Sequence, residues 1–197
     1  MSLRVIAGTA RGRKLKLVPG DSTRPIMDRV KEALFSILGR FVIDAEVLDV
    51  FAGTGSVGIE ALSRGARRCT FIDLERRAIE TITANVSACG FMEKSIIRRA
   101  DAFAMLKSPA TPYDLVYVAP PQYKAMWLTA LMLLDEQPAW VKPDGVIVIQ
   151  IDPEERQDVT LKHFTAYDER VYGSTLLWFF EHTPTDDETD AEHEVEA

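Results

Sequence analysis

The sequence has few cysteines and no long apolar run. Its two cysteines, Cys69 and Cys89, are too few for a disulfide framework or a zinc site. No apolar stretch approaches the roughly 20 residues that a membrane span needs. The first residues, 1–6, lack the apolar segment of a signal peptide. We therefore expect a cytoplasmic protein with reduced cysteines, no metal site and no membrane partner.

The formal net charge of −7 is unevenly distributed along the 197 residues. Residues 1–40 contain nine Lys or Arg and three acids, whereas residues 181–197 contain eight acids and no Lys or Arg. A basic head on an acidic chain suggests that a polyanion binds at the head. We predict three parts: a basic appendage of hairpin and helix over 1–40, a central domain over 41–182, and an acidic, disordered tail over 183–197.

The central feature is the stretch 47–58, which predicts a buried strand, a tight turn and the start of a helix. Gly53 and Gly55 lack a Cβ atom, so the turn can adopt positive φ and a ligand can approach the backbone closely. The start of the helix offers unpaired N–H groups and the positive end of the helix dipole. With Gly58, the spacing G-x-G-x-x-G also fits a dinucleotide site, so the spacing alone does not identify the ligand.

Acidic residues at three strand ends favour S-adenosylmethionine over a dinucleotide. The carboxylate of Asp49 would repel a pyrophosphate but suits the sulfonium and ammonium groups of S-adenosylmethionine, and its alternative role is to cap a turn. Asp73 ends the next strand, where a carboxylate can accept from both ribose hydroxyls. Asp101 can accept from the adenine amino group or cap a helix. The candidate cofactor residues are Asp49, Phe51, Gly53, Thr54, Gly55, Asp73, Leu74, Asp101 and Ala102.

Strands that alternate with helices predict an α/β fold with a mostly parallel sheet. We expect helices over 28–38, 56–64, 75–90 and 126–134, and strands near 69–73, 95–98, 113–118 and 146–151. Two further strands, 164–172 and 174–180, form an antiparallel C-terminal hairpin. This hairpin is typical of the Rossmann-like sheet of class I methyltransferases, and it argues against an NAD-dependent oxidoreductase.

Residues 3–18 predict an N-terminal β-hairpin whose second arm alternates basic and apolar residues. One face can then pack while the other stays cationic. The alternative interpretation is a solvated edge strand protected by lysines. The glycine-flanked basic residues favour contact with nucleic-acid phosphates. The candidate RNA contacts are Arg11, Arg13, Lys14, Lys16 and Arg24.

Four stretches carry a resemblance to a known family, and they are 4–15, 23–38, 48–55 and 58–66. They include Thr23-Arg-Pro, Asp28-Arg-Val-Lys-Glu-Ala-Leu-Phe and Leu48-Asp-Val-Phe-Ala-Gly-Thr-Gly. Over residues 3–180 the chain resembles the RsmD-type 16S ribosomal RNA guanine-N2 methyltransferases of bacteria. The resemblance implies a monomeric enzyme that moves the methyl group of S-adenosylmethionine to a guanine N2 of 16S rRNA in the small ribosomal subunit. The domain at 41–182 is then the methyltransferase domain.

The resemblance also implies a catalytic tip after the fourth strand. The family has an acid or amide there, followed by two prolines and an aromatic residue. In this sequence Ala119 stands at the acid position and Gln122 at the aromatic position. The implied catalytic residues are Ala119, Pro120, Pro121, Gln122 and Tyr123. Three alternatives stay open: methylation of adenine N6 or cytosine N4 in DNA or RNA, a non-catalytic RNA-binding assembly factor that keeps the cofactor pocket, and a Pro-Pro loop that only ends a strand.

Overall fold

The computed structural model describes residues 3–20 and 26–184. This part of the chain has five α-helices and seven strands, and the two alternate from α1 to β5, as the sequence predicts for a mostly parallel sheet. The helices are α1 (Asp28–Leu38), α2 (Ser56–Ser63), α3 (Arg76–Cys89), α4 (Ala102–Leu106) and α5 (Met126–Glu136). The strands are β1 (Glu46–Val50), β2 (Arg68–Asp73), β3 (Ser95–Arg99), β4 (Tyr113–Val118), β5 (Val141–Ile151), β6 (Phe164–Val171) and β7 (Leu176–His182).

All seven strands form one sheet in the order β3-β2-β1-β4-β5-β7-β6. The first five are parallel, and β7 pairs antiparallel with both β5 and β6. The order reverses between β1 and β4, so their carboxyl ends open a crevice where ligands of such sheets bind. Apolar residues bury a core on each face of the sheet. The predicted fold class, including the antiparallel C-terminal strands, is confirmed.

Element boundaries differ from the predictions mainly in β5. We expected a turn at 143–145 before the strand, but β5 begins earlier, at Val141, and its pairing with β4 shifts register between Tyr113 and Leu115. Gly145 allows this irregularity because a Cβ atom there would lie 2.7 Å from Cγ1 of Val141. The predicted tail lies outside the described residues, apart from 183 and 184. Within the described ranges, no helix is long and apolar enough to cross a membrane.

The N-terminal hairpin pairs through one antiparallel bridge, between Arg4 and Lys14, and neither arm forms a regular strand. The predicted alternation of basic and apolar residues along the second arm is only partly right, because Leu15 and Val18 are buried whereas Leu17 is 53% exposed. The cross-strand pairing stops early because the N–H of Lys16 on the second arm bonds to Asn85 of α3, and those of Ile6 and Ala7 on the first arm bond to Glu60 of α2.

A buried carboxylate on α2 anchors this hairpin. Glu60 accepts hydrogen bonds from the N–H groups of Ile6 at 2.8 Å and Ala7 at 2.9 Å. Lys31, from α1, lies 3.4 Å from Glu60, and both side chains are fully buried. Burial lowers the pKa of Lys31, and the charge of Glu60 opposes that shift. Lys31 therefore belongs to the interior and not to the cationic surface of the head, contrary to its place in the charge count.

Ser63 at the end of α2 holds the hairpin turn. Its carbonyl accepts from the N–H of Thr9 at 2.8 Å, and its hydroxyl oxygen accepts from the N–H of Ala10 at 2.9 Å. A Cβ atom on Gly8 would lie 1.8 Å from the Ser63 carbonyl oxygen, so only glycine fits this approach. The hairpin residues Leu3, Val5, Ala10 and Leu15 share a core with α1, α2 and β1. The division at residue 40 stays a prediction.

Candidate active site

The glycine-rich turn between β1 and α2 has the conformation that its glycines predict. Phe51, Gly53 and Gly55 all have positive φ, at 63°, 54° and 73°. Gly55 is the residue before α2, and a Cβ atom there would lie 3.3 Å from Ile82. These residues therefore adopt left-handed backbone conformations, and the tight turn brings backbone groups to the crevice at the carboxyl end of β1.

Close packing explains why the third glycine of the motif, Gly58, is a glycine. A Cβ atom at this position would lie 2.3 Å from the ring of Phe71 and 2.5 Å from Sγ of Cys69. Both neighbours are fully buried on β2. A glycine here lets α2 lie directly against the sheet, so the spacing G-x-G-x-x-G reflects helix packing in this chain and does not require a dinucleotide.

Asp49 is buried more deeply than its sequence position suggests, at 1% exposure. Its Oδ2 accepts a hydrogen bond of 3.1 Å from the N–H of Gly58 in the first turn of α2, so the capping role considered above is present. Burial raises the pKa of Asp49 to about 8, the bond from Gly58 opposes that shift, and the nearby charge of Asp73 adds to it. Asp49 also lines the crevice, where a cationic ligand would favour its ionised form.

Asp73 at the end of β2 joins the glycine-rich turn to the start of α3. Its Oδ2 accepts from the N–H of Gly53 at 2.8 Å, and its Oδ1 accepts from the N–H of Glu75 at 2.9 Å. An ionised carboxylate has about four lone-pair sites, so two backbone bonds leave acceptor capacity for ligand hydroxyls. Leu74 beside it is 57% exposed and offers an apolar lip to the crevice.

Asp101 caps α4, because its Oδ1 accepts from the N–H of Ala104 at 2.8 Å. This was one of its two predicted roles, and contact with an adenine amino group stays a prediction. Ala102 is buried behind it, and Phe51 packs edge-on against Phe103 with ring centroids 5.8 Å apart. These residues form an apolar wall with one carboxylate at its edge.

One cavity of about 560 Å³ connects these features. Its volume is within the range of small-molecule sites. It brings together most of the predicted cofactor residues and most of the predicted tip. Among the predicted residues of these two groups that the structure describes, Gly55 and Tyr123 stand outside the lining. The residues that line it are Asp49, Phe51, Gly53, Thr54, Asp73, Leu74, Asp101, Ala102, Ala119, Pro120, Pro121 and Gln122.

The tip after β4 is a strained turn at the cavity mouth. Tyr123 and Ala125 both adopt positive φ, at 60° and 50°, which is unusual for residues other than glycine. Tyr123 is 65% exposed, and a hydrogen bond with the Asp152 carboxyl raises the pKa of its hydroxyl. Its ring therefore lies over the outside of the mouth, whereas Ala119 and Gln122 face inward.

Sequence reasoning missed Gln150 as a site residue. Gln150 lines the cavity, and its Oε1 accepts a hydrogen bond from the hydroxyl of Tyr117, which is 2% exposed. The available signal was a polar residue near the end of the apolar run 146–151, because a polar side chain at a strand end often faces a site. Further lining residues that the sequence did not indicate are Ile26, Met27, Lys124, Met126 and Thr175.

One buried side-chain amide holds the basic hairpin beside the cavity. Asn85, on α3, is 1% exposed. Its Nδ2 donates to the carbonyl of Lys16 at 3.0 Å and to that of Thr54 at 2.9 Å, and its Oδ1 accepts from the N–H of Lys16 at 2.7 Å. The second arm of the hairpin is therefore tied to the wall of the cavity. The predicted phosphate contacts Arg11, Arg13, Lys14 and Lys16 are all exposed, and Arg24 lies outside the described residues.

The sheet order, the antiparallel β7 and the cavity at the glycine-rich turn define the class I methyltransferase fold. Two solved structures of the same fold are similar over their whole length. The Escherichia coli protein yhhF has a TM-score of 0.83 and 29% identity, and the match covers 94% of this chain and 100% of that chain. HI0767 from Haemophilus influenzae has a TM-score of 0.77 and 30% identity, with 93% and 100% covered.

The family is defined by a model described as conserved hypothetical protein 95, which matches residues 3–181, and the chain belongs to it. Two relatives are named ribosomal RNA small subunit methyltransferase D. The one from Haemophilus influenzae is 34% identical over 175 residues, covering 87% of this chain and 89% of the relative. The one from Escherichia coli is 29% identical over 179 residues, covering 91% and 89%.

Proposed function

We propose that this protein is an S-adenosylmethionine-dependent methyltransferase that modifies the exocyclic N2 of a guanine in 16S rRNA. One observation carries the proposal: a single cavity is lined at one end by the glycine-rich turn and at the other by the tip after β4. A methyl donor and a target base bound at these two ends would face each other across it. The names of the relatives support rRNA as the substrate.

The cavity residues fit the proposed cofactor. The buried carboxylate of Asp49 suits the cationic amino acid part, and the remaining lone pairs of Asp73 suit the ribose hydroxyls. Leu74, Phe51 and Ala102 offer apolar surface for the adenine, with Asp101 at the edge. S-adenosylmethionine, when bound, supplies an electrophilic methyl group on a sulfonium sulfur. The chain supplies the orientation and the electrostatic environment.

For the target base, the tip offers hydrogen-bond acceptors in a fixed direction. The guanine amino group has its lone pair delocalised into the ring, so the enzyme must orient it toward the methyl group. The carbonyls of Ala119 and Pro120 are available acceptors, and the Pro120–Pro121 pair restricts their direction because each ring locks φ. We propose that the ring of Tyr123, which is exposed, stacks on an unstacked base.

The exposed basic hairpin supports an RNA-binding role near the same cavity. We propose that Arg11, Arg13, Lys14, Lys16 and Arg24 bind rRNA phosphates, and that the small ribosomal subunit is the physiological partner. Cationic side chains at one edge of an acidic protein orient a polyanion toward that edge. We further propose that the protein acts as a cytoplasmic monomer without a membrane partner.

A second candidate is a non-catalytic assembly factor that binds rRNA and keeps the cofactor pocket. Ala119 is the observation that favours it, because the side chain at this position has no hydrogen-bonding group. Loss of one such bond to a reacting group costs roughly 10²–10³ in rate if nothing replaces it. The two candidates differ in turnover, since both would bind S-adenosylmethionine and RNA.

Methyl transfer from tritiated S-adenosylmethionine tests the proposal. The substrates are 16S rRNA fragments and small ribosomal subunits, with the product located by mass mapping, and the Asp49→Ala variant is the control for cofactor binding. The proposal expects N2-methylguanine at one position and no product with the variant. Product at adenine N6 or cytosine N4 would replace the guanine assignment. Binding of both partners without incorporation into any RNA would support the assembly factor.

A further inference from the structure

Gln150 on β5 lies next to Ala119, the position at which this chain lacks a polar side chain. Strands β4 and β5 are parallel, and Val118 lies opposite Ile149. The next residues, Ala119 and Gln150, therefore reach the carboxyl edge of the sheet at the same level. Both line the cavity. A short side chain on one strand thus stands beside a long amide on its neighbour, at the end of the cavity where the target base would bind.

The Gln150 amide is held in one orientation. The Tyr117 hydroxyl donates to its Oε1, and Tyr117 is 2% exposed, two residues before Ala119 on β4. Burial raises the pKa of Tyr117 well above its ordinary value, so the hydroxyl keeps its proton and remains a donor. An amide oxygen has two lone pairs, so Oε1 retains one acceptor site, and Nε2 retains donors.

We propose that Gln150 is a specificity-determining residue that reads the target base in place of the side chain missing at Ala119. This inference rests on the proposed function. Its Oε1 accepts from the amino group to be methylated, and its Nε2 donates to the adjacent ring nitrogen. Tyr117 is the positioning residue that presents the amide. For guanine, this pair of contacts reads N2–H and N3.

The amide of Gln150 would contact different atoms of guanine from those that a carboxylate would contact. A carboxylate has only acceptors and would pair with two donors, such as N1–H and N2–H of guanine. A glutamine amide combines one acceptor and one donor, as it does when it binds a base bidentately in nucleic-acid complexes. Replacing N3 of guanine by carbon removes an acceptor that Gln150 needs and leaves N1–H and N2–H in place.

The variants Q150A and Q150E, with Q157A as a matched exposed control, test the proposal by methyl transfer and calorimetry. Q150A should lower kcat/KM for RNA by ~10²-fold, because two hydrogen bonds to the base are lost. The Kd for S-adenosylmethionine should stay within about twofold of wild type, because the cofactor acids are untouched. Y117F should lower kcat/KM less than Q150A does. Q157A should match wild type in both measurements.

A substrate with 3-deazaguanosine at the mapped position separates base reading from a structural role. Wild type should methylate it ~10-fold more slowly than guanosine, because one hydrogen bond is lost. In Q150A and Q150E the two substrates should react at the same rate, because neither variant has the donor. A variant that only disturbs the fold would slow both substrates and keep the tenfold ratio.

The outcomes distinguish this inference from the function beneath it. Three outcomes would overturn the role of Gln150 while methylation stands. The wild type could methylate guanosine and 3-deazaguanosine at about the same rate, or Q150A could keep the wild-type ratio of these two rates. Q150A could also lose as much affinity for S-adenosylmethionine as it loses kcat/KM for RNA. Absence of methyl transfer by the wild-type protein to any RNA would overturn the proposed function and this inference with it.

Discussion

Replacing Asp49 by asparagine should stabilise the protein and weaken its cofactor binding at the same time. Asparagine keeps an oxygen that can accept from the N–H of Gly58, 3.1 Å from Asp49 Oδ2 in the wild type. It removes the ionisable group from a site of 1% exposure. The variant therefore separates the cost of a buried carboxylate from its use toward a cationic ligand.

The size of the effect follows from the pKa of Asp49, which burial raises from 3.8 to about 8. The folded state holds the proton more tightly than the unfolded state. The contribution of this group to stability is thus fully present below pH 4 and is lost as pH rises through 8. Each pKa unit corresponds to about 1.4 kcal/mol, so the loss above pH 8 is at most about 6 kcal/mol.

Asparagine avoids this loss but brings an amide N–H₂ that needs partners, at a cost of roughly 1–3 kcal/mol. We expect D49N to exceed wild type in free energy of unfolding by about 3 kcal/mol at pH 8 and above, and to differ little near pH 5. Urea unfolding between pH 5 and 9 measures this difference. D144N, at an exposed carboxyl in β5, is the matched control and should follow wild type.

Calorimetry on the same variant measures its affinity for S-adenosylmethionine. The wild-type affinity for S-adenosylmethionine should rise with pH up to about 8, because the ionised carboxylate is the form that attracts a cation. D49N should bind ~10²-fold more weakly and show no such rise. A D49N variant that is less stable than wild type at pH 8, or that binds the cofactor equally well, would refute the reasoning.

Three further predictions concern packing, anchoring and RNA binding. Gly58→Ala should lower the free energy of unfolding by about 1–3 kcal/mol, measured in urea, because its methyl group would overlap β2. Glu60→Ala should cost about 3–5 kcal/mol in the same assay, since it removes the counter-charge of the buried Lys31 and the acceptor of two hairpin N–H groups. The triple change of Arg13, Lys14 and Lys16 to alanine should weaken RNA binding and reduce the slope of log Kd against log salt by up to about 3.

The anchoring and RNA-binding predictions each have a control within the chain. Glu80 pairs with Arg76 at 2.8 Å on the exposed face of α3, so E80A should cost well under 1 kcal/mol where E60A costs several. Arg67 and Arg68 are exposed at the start of β2, away from the cavity, so their double change should leave the salt slope nearer to wild type. Equal effects of E60A and E80A, or unchanged RNA affinity of the triple variant, would contradict the roles given to the hairpin and its anchor.

Most of the fold follows from local patterns in the sequence. Helix α1 has the predicted bounds, 28–38, because its apolar residues recur at helical spacing and Gly39 follows them. Strand β4 has the predicted bounds, 113–118. The start of β5 was predicted wrongly because Pro143 and Gly145 are turn residues by composition, whereas β4 pairs with Val141 before them and Val146 after them, so the strand continues through them as an irregularity. Tertiary pairing can override such local preferences.

The sequence by itself determined the glycine-rich turn, the acids at the strand ends and the basic head, because these depend on residue type and short spacing. Only the tertiary structure decided that Lys31 meets Glu60 in the interior, that Asp49 caps α2, and that Gln150 stands beside Ala119. Those contacts join residues that lie 29, 9 and 31 positions apart in the sequence. Their distances and burial depend on strand register and helix packing, which no local pattern specifies.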